Sequence, residues 1–140
     1  MMIWLPAGII LAFVFIFLAR AFDQRKVFAI GLVVAAFIYV GFAVSGGASA
    51  GWIVVEVLGV ALYGFAAWLG LRVSPWWLVI GWGAHPVWDV GLHLVGTGRE
   101  FAPGWYAIIC ISFDTVVALY IAYRCARPGT SNFTRFRGGA

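Results

Sequence analysis

Five apolar runs, at residues 2–19, 27–44, 52–71, 76–95 and 104–123, fill most of this chain. A helix rising about 1.5 Å per residue needs about 20 apolar residues to cross the hydrocarbon core of a bilayer. Each run is close to that length. In lipid the backbone must satisfy its own hydrogen bonds, and a run that does so alone is an α-helix. The expected fold class is therefore all-α integral membrane: a single domain over residues 1–123, built as a five-helix transmembrane bundle with short loops. Composition agrees. The 140 residues are 64% hydrophobic and 10% charged, against roughly 45–50% and 25% in soluble domains. A chain this short has no aqueous core large enough to hide that much apolar surface.

The breaks between runs set the orientation. Residues 20–26 carry Arg20, Arg25, Lys26 and Asp23; residues 45–50 form an uncharged turn; Arg72 leads into Ser74-Pro75, an N-cap and first-turn pair for the fourth helix. Five crossings place the first loop, Arg72 and the tail 124–140 on one side, with eight of the nine Lys and Arg residues; Arg99 lies on the other. By the positive-inside rule the C-terminus is cytoplasmic and the N-terminus faces out. Trp4, Trp52, Trp105 and Tyr106 then fall at the outer interface, and Trp76, Trp77, Tyr120 and Tyr123 at the inner one, where amphipathic rings settle. The net charge of +4 thus reads as a membrane-surface charge, with the lipid bilayer as partner and no nucleic acid. The tail is expected to be disordered or laid on the membrane. The first run lacks a basic flank on its N-terminal side, so it reads as a retained span rather than a signal peptide. Cys110 and Cys125, about 22 Å apart along one helix, cannot bridge each other.

Within the fourth run stands Gly81-Trp82-Gly83-Ala84-His85-Pro86-Val87-Trp88-Asp89-Val90-Gly91-Leu92-His93. At about 100° per residue, His85, Asp89 and His93 drift only about 40° per step and share one helix face. Pro86 has no N–H, so the Trp82 carbonyl loses its partner and becomes a candidate acceptor for the His85 imidazole. Gly81, Gly83, Gly91 and Gly96 allow close approach by neighbouring helices or a ligand.

Ionisable residues inside spans are rare and costly, so they mark functional sites by default. Counted from the outer helix ends, His93 lies about 3 Å deep, Asp89 about 9 Å and His85 about 15 Å; Glu56 on the third run lies about 6–8 Å deep and Asp114 on the fifth about 15 Å. Glu56 is therefore level with Asp89 and His93, and Asp114 with His85. Each buried acid costs about 2.5–3.5 kcal/mol on insertion scales, and no run contains a Lys or Arg to offset it. Three remedies are open: protonated acids bonded to the imidazoles, Arg99 folded in from the outer loop, or a divalent cation. Imidazole plus carboxylate suits zinc, iron or manganese. Plainer readings stand beside these: Glu56 as a packing lock, Asp114 held by Ser112 and Thr115, His93 as an interfacial histidine.

The residues Ser74-Pro75-Trp76-Trp77, the Gly81–His93 stretch with its His-Pro-x-Trp-Asp-x-x-Leu-His pattern, Phe101-Ala102-Pro103-Gly104-Trp105-Tyr106 and Ser112-Phe113-Asp114 resemble a family of small multi-pass bacterial membrane proteins classed as a domain of unknown function. The resemblance implies a bacterial integral membrane protein, expected in the inner (cytoplasmic) membrane, and carries no activity with it.

The leading functional expectation is an intramembrane metal-dependent enzyme acting on a lipid or other apolar substrate. His85, Asp89, His93 and Asp114 are the candidate metal ligands and Glu56 the candidate catalytic acid/base. Tyr63, Trp82, Pro86, Arg99 and Cys110 are candidate lining residues. A proton-coupled transporter or proton relay is the alternative, needing Tyr63, hydroxyls, water or a homo-oligomer to complete its inner half. A non-catalytic subunit with a structural polar network is the third reading.

Overall fold

The computed structural model describes residues 3–127, and every regular element among them is helical. Helix α1 spans Trp4–Ala19, α2 Gln24–Ser45, α3 Ala50–Arg72, α4 Trp76–Asp89 and α5 Gly104–Ala126; a π-helical segment, Val90–Val95, prolongs α4, and a short 3-10 turn covers Thr97–Glu100. Three of these, α2, α3 and α5, are long and apolar enough to cross a membrane. At 22–23 residues they are about 33–35 Å long. Helix α1 has 16 residues and α4 has 14 before its hydrogen-bonding pattern changes, so neither meets that length as a regular α-helix. The tail expected from residue 124 onward begins as the last turn of α5; its remainder, 128–140, lies outside the described residues.

Local chemistry sets the helix ends. Asp23 caps α2 by accepting from the Lys26 N–H, and Ser49 caps α3 by accepting from the Trp52 N–H. Ser74 Oγ accepts from the Trp76 N–H, 3.4 Å away, at the entry to α4. At the other end of α3, the Arg25 guanidinium donates to the carbonyls of Gly70 and Leu71 at 2.6 and 3.4 Å, which satisfies part of an otherwise open helix terminus.

The chain runs up and down, with α5 packed between α1 and α4, and α3 between α2 and α4. Helix α4 also touches α2, so it is enclosed by three neighbours. One end of the bundle gathers Gly46, Phe101 and Trp52, with Trp4 against Trp105 at 5.7 Å. At the other end Arg124 donates to Gln24 and Tyr120 at 2.8 and 2.7 Å, tying α5 to α2. This second end carries Arg20, Arg25, Lys26, Arg72, Arg124 and Arg127.

Packing is inverted relative to a water-soluble bundle. Large apolar side chains point outward on every long helix, Phe17 at 69%, Phe37 at 60%, Leu58 at 61% and Leu119 at 64% exposure among them. Many buried positions are small residues, Ala12, Ala29, Ala36, Ala43, Gly59, Ala67, Gly70, Gly81, Ala107 and Ala118, set around a few large ones such as Phe28, Leu32, Leu78, Trp82 and Ile121. Small residues let helix backbones approach, which is how helices associate where apolar surface gains nothing by leaving its solvent. At Gly8 a Cβ would collide with Ser112 Oγ and the Ile109 carbonyl; at Gly81 it would meet Leu32 at 2.5 Å.

These contacts make a direct prediction. Gly8→Ala should force α1 from α5 and lower stability by about 1–3 kcal/mol through overpacking. Gly64→Ala, where a Cβ meets nothing within 4 Å, should be neutral or stabilising by about 0.5–1 kcal/mol from helix propensity. Thermal unfolding followed by circular dichroism in detergent checks this; equal melting temperatures for the two variants would contradict the packing.

Candidate functional site

Helix α4 turns one stripe inward: Leu78, Gly81, Trp82, His85 and Asp89 are buried, and His93 continues the stripe in the π-helical segment. The change of pattern places His93. In an α-helix each four-residue step overshoots one turn by about 40°, so a third residue at that spacing stands toward the edge of the face. A π-turn takes more residues per revolution, and the step from Asp89 to His93 stays on the face. The loop closes over the same point. A Cβ on Gly98 would lie 2.6 Å from the Leu92 carbonyl and 2.8 Å from His93 Cδ2, and one on Gly96 would lie 2.7 Å from the Leu92 carbonyl. These two glycines let the backbone fold directly against the end of the helix. Gly81 is crowded by Leu32, whereas Gly83 and Gly91 are open.

The ionisable groups form two clusters along this stripe. In the first, His85 Nδ1 lies 2.9 Å from Asp114 Oδ2 on α5 and 3.4 Å from Asp89 Oδ2 one turn along α4. All three side chains are fully buried. One imidazole atom thus faces two carboxylates. That atom makes one short hydrogen bond, with Asp114. Both oxygens of Asp89, Oδ1 of Asp114 and Nε2 of His85 have no hydrogen-bond partner. One ligand atom from each residue lies within 4.8 Å of the others. Ligands of a tetrahedral ion at 2.0–2.2 Å would stand about 3.3 Å apart, so a modest contraction would bring the three onto one cation.

In the second cluster, His93 Nε2 lies 3.0 Å from Glu56 Oε1 on α3. This pair is one-to-one, and His93 stands with Glu56 rather than with the other three candidate ligands. Tyr39 of α2 covers it: the phenol ring stacks on His93 with centroids 3.9 Å apart and planes 12° apart. Tyr39 also lies 6.1 Å from the His85 ring, so it touches both clusters. Phe42 and Tyr106 hold it edge-on at 6.0 and 5.4 Å.

The remaining candidates divide. The Tyr63 ring meets His85 edge-on at 4.9 Å, and Cys110 is buried and free. Trp82 points elsewhere: its indole N–H donates to the Phe28 carbonyl at 3.1 Å and its ring packs on Phe15 and Phe113. Pro86 is half-buried and Arg99 is exposed on the 3-10 turn, not folded in beside the acids. The freed Trp82 carbonyl is not the partner of His85, because Asp114 takes its Nδ1. Nor do local hydroxyls hold Asp114: Ser112 and Thr115 donate back to the carbonyls of Ile109 and Ile111. Tyr39 was not among the sequence candidates. Its signal was available, a lone hydroxyl about 9 Å from the end of α2, level with Asp89.

Chemically, the first cluster holds more negative capacity than its own imidazole can balance, and buried charge without a partner is expensive. The second cluster pairs one acid with one imidazole, as in an acid–base dyad, and leaves His93 Nδ1 without a hydrogen-bond partner. For that pair, His93→Gln should destabilise by about 3–5 kcal/mol, because it strips a buried Glu56 of its partner. Adding Glu56→Gln to it should cost less than the sum of the single changes, with a coupling of about 1–3 kcal/mol. Unfolding equilibria in mixed micelles measure this, and strict additivity would mean that the two side chains do not interact.

No curated protein and no solved structure matches the chain. A family model does, over residues 2–128. That span takes in all five helices and both clusters, and the chain belongs to DUF6010, a family of unknown function.

Proposed function

We propose that this is an integral membrane protein that holds one divalent cation between His85, Asp89 and Asp114 and uses it, with the Glu56–His93 dyad, for chemistry on a lipid-like or other apolar substrate. The observation that carries this reading is the mismatch in the first cluster: two buried carboxylates converge on one imidazole atom, and three of their four oxygens lack a hydrogen-bond partner. A divalent cation would neutralise both acids and use those oxygens. One nitrogen and several oxygens suit zinc, iron or manganese. Such an ion, held by His85, Asp89 and Asp114, would supply Lewis acidity there. Glu56, held by His93, is the group available to take a proton and return it. Hydrolysis needs no reactant beyond water and is the simplest such reaction.

The bilayer assignment rests on the outward apolar side chains and on the three long helices. With α1 and the prolonged α4 crossing as well, the basic end lies in the cytoplasm of a bacterial inner membrane and both clusters sit in the outer half. An apolar substrate would arrive laterally, from the bilayer. A proton relay is the second reading, favoured by one contact: Tyr39 touches both imidazoles and so links the clusters. The path inward would then run past Tyr63, or through a homo-oligomer.

Elemental analysis separates the two. Purified protein reconstituted with zinc, manganese or iron should hold about one ion per chain. His85→Ala and Asp89→Asn should lose it, and Glu56→Gln should keep it while losing turnover. Unchanged metal content in folded His85→Ala and Asp89→Asn would refute the ligand assignment and leave the relay as the better account.

A further inference from the structure

The basic end of the bundle carries Arg20, Arg25, Lys26, Arg72, Arg124 and Arg127, and the whole sequence has five acids. Glu56, Asp89 and Asp114 are buried inside the bundle, and Glu100 lies on the 3-10 turn at the opposite end. That leaves Asp23, whose carboxylate pairs with Lys26 at 3.5 Å. Six cations thus share one acid, and water and external anions are their remaining counterparts.

These cations are not spread evenly. Side chains interlock at the corner where α1 ends, α2 begins and α5 ends. Arg124 Nη1 donates to Gln24 Oε1 at 2.8 Å and to the Tyr120 hydroxyl at 2.7 Å, and Gln24 Nε2 donates to the same hydroxyl at 3.1 Å. Both acceptors of that nitrogen are neutral, so the guanidinium is oriented while its charge stays uncancelled by them. Arg20 closes α1 and opens the tight turn that delivers Gln24. Beside that turn Phe17, Leu18 and Phe22 are exposed. A guanidinium held in one plane suits phosphate, because its N–H groups can meet two oxygens at once. Cationic charge with exposed apolar side chains beside it fits a ligand that is anionic at one end and hydrocarbon at the other.

We propose that this corner, with Arg20 and Arg124 set around Gln24 and Tyr120, binds the phosphate headgroup of an anionic phospholipid and seats its acyl chains on the neighbouring apolar side chains. The site is separate from the two histidine clusters. It rests on the bilayer part of the reading above and not on the cation.

The test strips the full chain of lipid in a neutral detergent, adds phosphatidylglycerol or phosphatidylcholine of the same acyl length, and follows retained lipid by native mass spectrometry. Wild-type protein should hold phosphatidylglycerol at a saturable site, at least about tenfold more tightly than phosphatidylcholine. Arg20→Gln and Arg124→Gln should each weaken that binding about fivefold, the share of one basic residue at an anionic headgroup. Arg72→Gln, at the same end but outside the corner, should stay within about twofold of wild type. Arg20 is exposed on its turn, so its variant reads the site even if Arg124→Gln fails to fold. Equal retention of the two lipids would overturn the proposal. So would equal losses in Arg20→Gln and Arg72→Gln, which would reduce the corner to diffuse surface charge. Displacement of phosphatidylglycerol by inorganic phosphate alone would overturn the lipid assignment in favour of a free anion. Protein that stays monodisperse without any detergent would remove the bilayer reading itself, and this inference with it.

Discussion

Three acids, Glu56, Asp89 and Asp114, are buried in a bundle whose helices carry no Lys or Arg along their interior stretches. Everything particular about this structure answers that burden. Two histidines, on α4 and its π-helical extension, meet acids from α3 and α5, and these contacts add to aromatic ones between the same helices, Tyr63 against Trp88 and Trp82 against Phe113. A polar pair buried among small residues is worth more as a positional constraint than as net stability, because desolvation offsets most of the attraction. The pairs fix which face of each helix turns inward. The two clusters differ in composition: His93 meets one carboxylate and keeps its Nδ1 without a hydrogen-bond partner, whereas His85 serves two carboxylates and leaves three of their oxygens unpaired. The His85–Asp89–Asp114 group could hold a metal ion.

The backbone of α4 is shaped around that arrangement. Its regular α-helical stretch ends at Asp89, and the π-helical segment carries His93 onto the same face as His85. Such segments recur at functional sites because they re-aim side chains at a cost in hydrogen-bond regularity. Gly96 and Gly98 let the following loop fold against His93 without a Cβ in the way, and Tyr39 closes the remaining side. The imidazole is held between a carboxylate, a phenol ring and a loop, which suits a group whose orientation matters.

Much of this was legible in the sequence. Depth, counted in residues from the helix ends, puts Asp114 level with His85 and Glu56 level with both Asp89 and His93; the contacts are Asp114 with His85 and Glu56 with His93. Depth works because helix rise is nearly constant; it says nothing about rotation. Rotation separates His93 from the other three candidate ligands and turns Trp82 toward Phe28. The π-helical segment could not be read, since no residue type demands it. Pro86 frees a carbonyl on its own helix, but the Asp114 carboxyl on α5 is the partner that His85 Nδ1 takes. In the sequence Tyr39 is one more aromatic in an apolar run, and its place at the site depends on His93, 54 positions away. The helical fold followed from run length and polarity, and α1 and α4 differ from the expected spans where one is shorter and the other changes its hydrogen-bonding pattern.

The central claim is that one imidazole and two carboxylates from α4 and α5 hold a divalent cation while His93 stays with Glu56. X-ray absorption at the zinc edge of the zinc-loaded protein tests it most directly, because imidazole rings give an outer-shell scattering pattern whose amplitude counts them. The account predicts a light-atom shell at about 2.0–2.2 Å with the contribution of a single imidazole. A signal from two imidazoles, or protein that retains no zinc, would contradict it.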